Sequence, residues 1–195
     1  MNVLSLDLDV FFPCHKYKCV RLKGMDHNPD DLWKVVDALN IDYEPDGEKI
    51  FKVLDMIGDI SIDNKYLITE HEEILGILKD YKNVNLWNID FHHDMGYRID
   101  TCEPRADDWV LHGKFNKIIG TYTWVRTELS EPLFEKPFKI TEYNLLDEFE
   151  YPKFDKLIIC VSPYYTPKKF WDMYKIFTKE LEPNVCNWKH TEYWL

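Results

Sequence analysis

Short apolar runs with the composition of buried β-strands alternate along this chain with segments of helical periodicity. The runs cover residues 3–9, 66–69, 83–90, 117–125 and 156–161, and a further short run covers residues 138–140. Such alternation is typical of a parallel or mostly parallel sheet with helices on both faces. We therefore predict an α/β fold in which a mostly parallel sheet is flanked by helices.

Several helices have recognisable start signals, in which a capping residue precedes an apolar stripe. These signals are Asn28-Pro29, the pair Thr69 and Glu72 with capping-box spacing, and Thr166-Pro167. Two more helices are predicted over Gly47–Ile57 and over residues 107–115 from their periodicity.

The size and charge of the chain restrict its class. At 195 residues with 45% hydrophobic content, it has enough apolar sequence for a single domain over residues 1–195. A formal net charge of −11 disfavours non-specific nucleic-acid binding, which needs a basic face. No apolar run approaches the length that crosses a bilayer, and no basic region precedes the first run. We expect a cytoplasmic protein with neither a nucleic-acid nor a membrane partner.

Three groups of ionisable residues stand where apolar runs end. They are Asp7 and Asp9 after the first run, His71 after the second, and Asp90, His92 and Asp94 after the third. Residues two apart share a face of an extended strand, and the carboxyl ends of parallel strands meet at one edge, so these groups should converge. Four carboxylates that close together repel strongly unless cations lie between them. The pattern therefore predicts a hydrolytic site that binds two divalent metal ions.

Ligands dominated by oxygen, with one or two imidazoles, suit Mn²⁺ better than structural Zn²⁺, so two Mn²⁺ ions are the predicted cofactor. His93 should point away from its neighbours and pack behind the ligands. His112 is a candidate for a proton-transferring group or for a structural residue at a helix terminus, and His15 is a candidate that could reach the site from the loop after Asp9. Cys160 lies inside an apolar run and is predicted to be a buried thiol.

The motifs resemble those of the ureohydrolases. Arginases and agmatinases carry Ser-x-Asp-x-Asp-x-x-Asp-Pro, Asp-Ala-His-x-Asp and Gly-Gly-Asp-His motifs, and this chain has related segments in a circularly permuted order. The closer resemblance is to the peptide arginase family. It is carried by residues 6–12, 70–75, 90–94, 108–110 and 162–167.

The resemblance implies a three-layer arginase/deacetylase-like fold and hydrolysis of peptidyl arginine to ornithine and urea. It also implies that Asp7 and Asp90 bridge two Mn²⁺ ions. His71 and Asp94 would complete one ion, and His92 and Asp9 the other. Glu70 becomes a candidate for holding the guanidinium group. The chain departs from the pattern at Phe12, where arginases have an aspartate, and at Asp108, where asparagine is usual.

Other functions fit the same residues. A metal-dependent amidohydrolase or deacetylase of this fold would use the same ligands, and a non-catalytic protein could keep the metals and only bind a peptide. Paired aspartates after a first strand also occur in haloacid dehalogenase-type phosphotransferases. The partner predicted by the arginase hypothesis is an arginine-containing peptide or a small guanidino compound. The sequence does not indicate an oligomeric state.

Overall fold

The protein is built on one parallel β-sheet. The computed structural model describes residues 1–12, 44–58, 60, 64–96, 104–105, 107–130, 133, 137–163, 165–178 and 184–185. The strands in these ranges are β1 (Asn2–Asp7), β2 (Lys65–Ile68), β3 (Val84–Ile89), β4 (Ile119–Arg126), β5 (Thr141–Asn144), β6 (Lys156–Cys160) and β7 (Asn184–Val185). They pair in the order β5-β4-β3-β1-β6-β2-β7, and every pair is parallel. The predicted α/β fold is confirmed.

Helices and 3-10 turns lie between the strands along the chain. They are α1 (Gly47–Ile57), α2 (Ile74–Leu78), α3 (Trp109–Phe115) and α4 (Tyr174–Thr178), with 3-10 turns at Leu8–Phe11, His71–Glu73 and Lys168–Met173. Helix α1 matches its predicted bounds, and the Asp46 side chain caps it by accepting the N–H of Glu48. The helix predicted after Asn28 lies outside the described residues. None of the helices among the described residues is long and apolar enough to cross a bilayer.

Two apolar cores lie on opposite faces of the sheet, because alternate residues of each strand point to opposite sides. On one face, Leu4 and Leu6 of β1 pack in the core that α1 and α4 cover. On the other face, Val3 belongs to the core that α2 and α3 cover. The arrangement has three layers, with helices on both sides of the sheet.

The parallel register brings the ends of the central strands to one level. Asp7 at the end of β1 pairs with Cys160 of β6, and Ile68 of β2 pairs with the same cysteine. On the other side of β1, Leu6 pairs with Ile89, the last residue of β3. The chain segments that follow β1, β2 and β3 therefore emerge together at the carboxyl edge, where sites form in open parallel sheets.

Several predicted element bounds are wrong. The first strand ends at Asp7, whose carboxylate accepts the N–H of Asp9 at 3.0 Å and starts a 3-10 turn. The third strand ends at Ile89, after which Asp90 accepts the N–H of His92 at 2.8 Å. These aspartates therefore share a site because their segments turn, and not because they occupy one face of an extended strand.

Two smaller predictions also need correction. The short strand expected at residues 138–140 is instead β5, which begins at Thr141. The capping box expected of Thr69 and Glu72 is instead formed by the next pair of residues. The Glu73 carboxylate accepts the N–H of Glu70 at 3.0 Å. The helix predicted there starts as a 3-10 turn before α2.

Candidate metal centre

Three carboxylates converge on one nitrogen of His71. Its Nδ1 atom lies 3.3 Å from Asp7 Oδ2, 3.2 Å from Asp90 Oδ2 and 2.9 Å from Asp94 Oδ2. One ring nitrogen carries at most one hydrogen, so it cannot donate a separate hydrogen bond to each carboxylate. Atoms at right angles around an ion with bonds of about 2.1 Å are about 3.0 Å apart. These distances therefore suit ligands of one small divalent ion.

A second group forms around His92. Its Nδ1 atom lies 3.0 Å from Asp9 Oδ2 and 3.9 Å from Asp90 Oδ1. The other oxygen of Asp9 accepts the N–H of Phe91 at 3.3 Å, which ties the turn after β1 to the turn after β3. The ligand atoms of Asp9, Asp90 and His92 all lie within 4.8 Å of one another.

Asp90 belongs to both groups. Its Oδ2 faces His71, and its Oδ1 faces His92. This is the arrangement expected of a carboxylate that bridges two ions. All six predicted ligands thus meet at one site, where Asp9 and Asp90 are completely buried. A bridging role for Asp7 stays a prediction, since only its Oδ2 faces His71 and its Oδ1 accepts the Asp9 N–H.

The electrostatics of the site favour the binding of cations. Burial, together with the charges of Asp7 and Asp90, raises the pKa of Asp9 to about 7. Burial, together with Asp94 and Asp7, also raises the pKa of Asp90 to about 7. Without cations, the cluster must take up protons to limit its repulsion. Two divalent ions would neutralise four carboxylates and leave the histidines neutral, so the residues fit a binuclear centre.

The histidines respond to the same carboxylates. Burial alone would lower the pKa of His92, but Asp9 and the neighbouring carboxylates raise it to about 9. Burial likewise opposes protonation of His71, yet the carboxylates of Asp7, Asp90 and Asp94 around the ring hold its pKa well above the ordinary value. Metal ions would displace these protons, because an imidazole binds a metal only through an unprotonated nitrogen.

A layer of hydrogen-bond partners fixes the ligands from behind. Ser5 Oγ lies 2.8 Å from His71 Nε2, which leaves Nδ1 facing the carboxylates. Ser162 Oγ donates to Asp7 Oδ2, and Trp109 Nε1 donates to Asp94 Oδ2 at 2.7 Å. Such contacts orient the ligands, and the two donors favour the ionised form of their aspartates. Ser162 and Trp109 lie within the segments that resemble the peptide arginases, and Ser5 directly precedes one, but no individual role was predicted for these residues.

Cys160 lies next to the site but is a poor ligand. Its Sγ atom groups with Asp7 and His71, and the thiol contacts Thr69 O and Ser162 Oγ at 3.3 Å each. Burial raises the pKa of this thiol well above its ordinary value, so it stays protonated. The prediction of a buried, unbridged cysteine is confirmed.

The other predicted site residues have different surroundings. His93 is buried behind the ligands, where its Nδ1 accepts the Met95 N–H at 3.1 Å, as expected. His112 lies on α3, and its Nε2 is 3.7 Å from Asp108 Oδ1. Among the described residues, no contact joins His112 to the six ligands. His15 lies outside the described residues.

Glu70 lies directly before His71, at the start of the turn that follows β2. Burial, together with the charges of Glu72 and Asp7, raises the pKa of Glu70 to about 8. A cationic group bound beside Glu70 would relieve this repulsion. Its role in holding a guanidinium stays a prediction.

The chain matches no family model, and no curated protein and no solved structure gives a significant match. The resemblance to peptide arginases thus stays a prediction from short motifs.

Proposed function

We propose that this protein is a binuclear manganese hydrolase of the ureohydrolase type that converts peptidyl arginine to ornithine and urea. The observation that carries the proposal is the position of Asp90, whose two carboxylate oxygens face two separate ligand groups. A carboxylate with both oxygens engaged in this way is suited to a two-metal site, in which the ions are about 3.5–4 Å apart.

The donor set favours hard divalent ions. The two ligand groups that share Asp90 each combine one imidazole with carboxylate oxygens. Carboxylate-rich ligation of this kind suits Mn²⁺, whereas structural zinc sites prefer thiolate and imidazole. Two Mn²⁺ ions, when bound, would lower the pKa of a water molecule so that it could act as a nucleophile near neutral pH.

The residues around the ligands would hold the substrate. An arginine side chain presents a planar and permanently charged guanidinium, which carboxylates hold best. Glu70 lies beside the site, and Glu72 and Glu73 follow on the same turn. His92 has a side chain 40% exposed, and its ring lies 4.8 Å from that of Tyr165, so these two rings mark the open side of the site.

In the proposed reaction, a water oxygen adds to the guanidinium carbon, and the bond from that carbon to the side-chain nitrogen breaks. The products are urea and the ornithine amine, which must receive a proton as it leaves. His112 and His15 stay predictions for the proton donor. His112 lies three residues beyond Trp109 on α3, and Trp109 Nε1 donates to the ligand Asp94.

The test is urea release by protein loaded with Mn²⁺. Free arginine, agmatine and an arginine-containing peptide are compared at equal concentration, with a peptide in which lysine replaces arginine as the control. We expect urea from the arginine peptide above all. The Asp90→Asn variant should release none, because it removes the charge shared by the two ligand groups.

The alternatives give different results in the same assay. Release of acetate from an acetyl-lysine peptide, without urea from any substrate, would indicate an amidohydrolase or deacetylase. Peptide binding without product would indicate a non-catalytic binding protein. Either result, obtained with two manganese ions bound, would overturn the arginase proposal while keeping the metal centre.

A further inference from the structure

Asn88 lies behind Asp90, within the sheet. It is the fifth residue of β3 and is completely buried. Its Nδ2 atom donates to Asp90 Oδ2 at 3.0 Å and to the Tyr122 hydroxyl at 3.2 Å. Both amide hydrogens are therefore used within the layer that supports the site.

Tyr122, on the neighbouring strand β4, extends this hydrogen-bond network. Its side chain is 1% exposed, and its hydroxyl donates to the backbone oxygen of His93 at 2.9 Å. Two residues later on the same strand, Trp124 Nε1 donates to the backbone oxygen of Asp90 at 3.0 Å. The segment that carries Asp90, His92 and Asp94 is thus held at two backbone oxygens and at one carboxylate oxygen.

The orientation of the Asn88 amide has a clear cause. Its Oδ1 is buried and accepts no hydrogen bond from the described part of the chain. Exchanging the two ends of the amide would place Oδ1 against Asp90 Oδ2, so that two acceptors would face each other. A hydrogen bond to a carboxylate is stronger than one between neutral groups, so the bond from Nδ2 to Asp90 determines the orientation of the amide. Oδ1 then has no donor among the described residues.

We propose that Asn88 and Tyr122 are positioning residues that hold Asp90 so that each carboxylate oxygen serves a different metal ion. The inference rests on the metal centre of the proposed function, and it does not depend on the proposed substrate. Asn88 contacts Oδ2, the oxygen that faces His71. Loss of the amide should therefore weaken the ion at His71 more than the ion at His92.

The experiment compares Mn²⁺ binding by three variants with that of the wild-type protein. Asn88→Leu removes both donors at similar volume, and Tyr122→Phe removes only the hydroxyl. The control is Tyr143→Phe on β5, because the Tyr143 ring stacks on Trp87 in the core on the other face of the sheet. Titration calorimetry gives the affinity of each ion, and thermal unfolding of the metal-free proteins reports their stability.

We expect Asn88→Leu and Tyr122→Phe to weaken at least one ion about 10- to 100-fold, as is usual when a contact behind a ligand is lost. Tyr143→Phe should keep the wild-type affinities. The electron paramagnetic resonance (EPR) signal of coupled Mn²⁺ should decrease in Asn88→Leu when the protein is not saturated with metal. A residue with a purely structural role would lower the melting temperature without changing the ratio of the two affinities.

The outcomes separate the two proposals. Wild-type affinities in a folded Asn88→Leu variant would overturn the inference. If that variant does not fold, Tyr122→Phe decides, and an unchanged affinity there overturns it. A wild-type protein that binds no manganese overturns both the centre and this inference. One that binds two ions without releasing urea overturns only the assigned substrate.

Discussion

At the scale of single residues, the site depends on which carboxylates face each histidine. His71 Nδ1 faces three aspartates, and the nearest carboxylate oxygen lies 2.9 Å away. Asp90 joins this group to the group around His92. Removing one ligand should therefore have consequences that depend on whether the residue serves one group or both.

The first prediction compares two aspartates of equal burial. Asp90→Asn should lose both manganese ions, because it serves both groups. Asp9→Asn should keep about one ion per chain, because Asp9 lies only in the group of His92. Metal analysis after desalting gives the stoichiometry. Two tightly held ions in Asp90→Asn would show that the bridging assignment is wrong.

The second prediction concerns Glu70. Replacement by glutamine removes a charge beside the site without touching a ligand, so the KM for the arginine peptide should rise about tenfold or more while two ions stay bound. Glu148→Gln, an exposed acidic residue, is the control. An unchanged KM in Glu70→Gln would mean that another group holds the guanidinium.

The sequence allowed the six candidate ligands to be predicted, because ionisable residues directly after apolar strands are conspicuous. It did not reveal the supporting donors in the same way. Asn88 looks like one polar residue inside a strand, and its role appears only when β4 brings Tyr122 next to it. Contacts of this kind depend on strand order, which local sequence patterns do not encode.

At the scale of elements, short turns shape the site more than the strands do. The 3-10 turn at Leu8–Phe11 carries Asp9, and the turn at His71–Glu73 carries His71. Asp94 has a positive φ of 52°, unusual for a residue with a side chain. Alternation along a strand predicts none of these turns, which is why the expected bounds were too long at β1 and β3.

A glycine next to this segment provides the third prediction. Gly96 has a φ of 62°, and a Cβ atom there would lie 2.7 Å from Asp108 Cβ. Gly96→Ala should therefore destabilise the protein by about 1–3 kcal/mol and weaken metal binding through Asp94. Calorimetric unfolding and metal titration measure the two effects.

The matched control is Gly76, which lies within α2. A Cβ atom added there would meet no described atom of a neighbouring element within 4 Å. Gly76→Ala should stabilise the protein by about 0.5–1 kcal/mol, because alanine is the better helix former. Equal effects of the two substitutions would contradict the claim that Gly96 is required by its backbone conformation.

At the scale of the whole molecule, the parallel sheet assembles the site from distant parts of the chain. Asp7 and Asp90 are more than eighty residues apart in sequence, yet β1 and β3 are neighbouring strands. The alternation of strands and helices was sufficient to predict this convergence. The strand order, and which residues form the core on each face of the sheet, could be determined only from the structure.

The fourth prediction concerns stability and pH. In the metal-free protein, Asp9 and Asp90 have a folded-state pKa of about 7 against an ordinary value of 3.8. His92 has a pKa of about 9 against 6.5. The folded state therefore holds more protons than the unfolded chain between these values, and the free energy of unfolding should fall as the pH rises through 7 and 9.

Thermal unfolding after removal of metal measures this dependence. The melting temperature should be lower by a few degrees at about pH 8 than at about pH 6, and the protein should stay folded at both. With saturating manganese the trend should reverse, because the ligands bind metal only when deprotonated. A metal-free protein that becomes more stable over the same rise in pH would contradict the clustered carboxylates.

The central claim is that two metal ions share Asp90, and EPR spectroscopy of the protein loaded with Mn²⁺ tests it most directly. Ions bridged by one carboxylate lie about 3.5–4 Å apart and are magnetically coupled. We predict two ions per chain with a coupled signal, and the loss of this signal in Asp90→Asn. A stoichiometry of one, or the spectrum of isolated ions at full loading, would contradict the account.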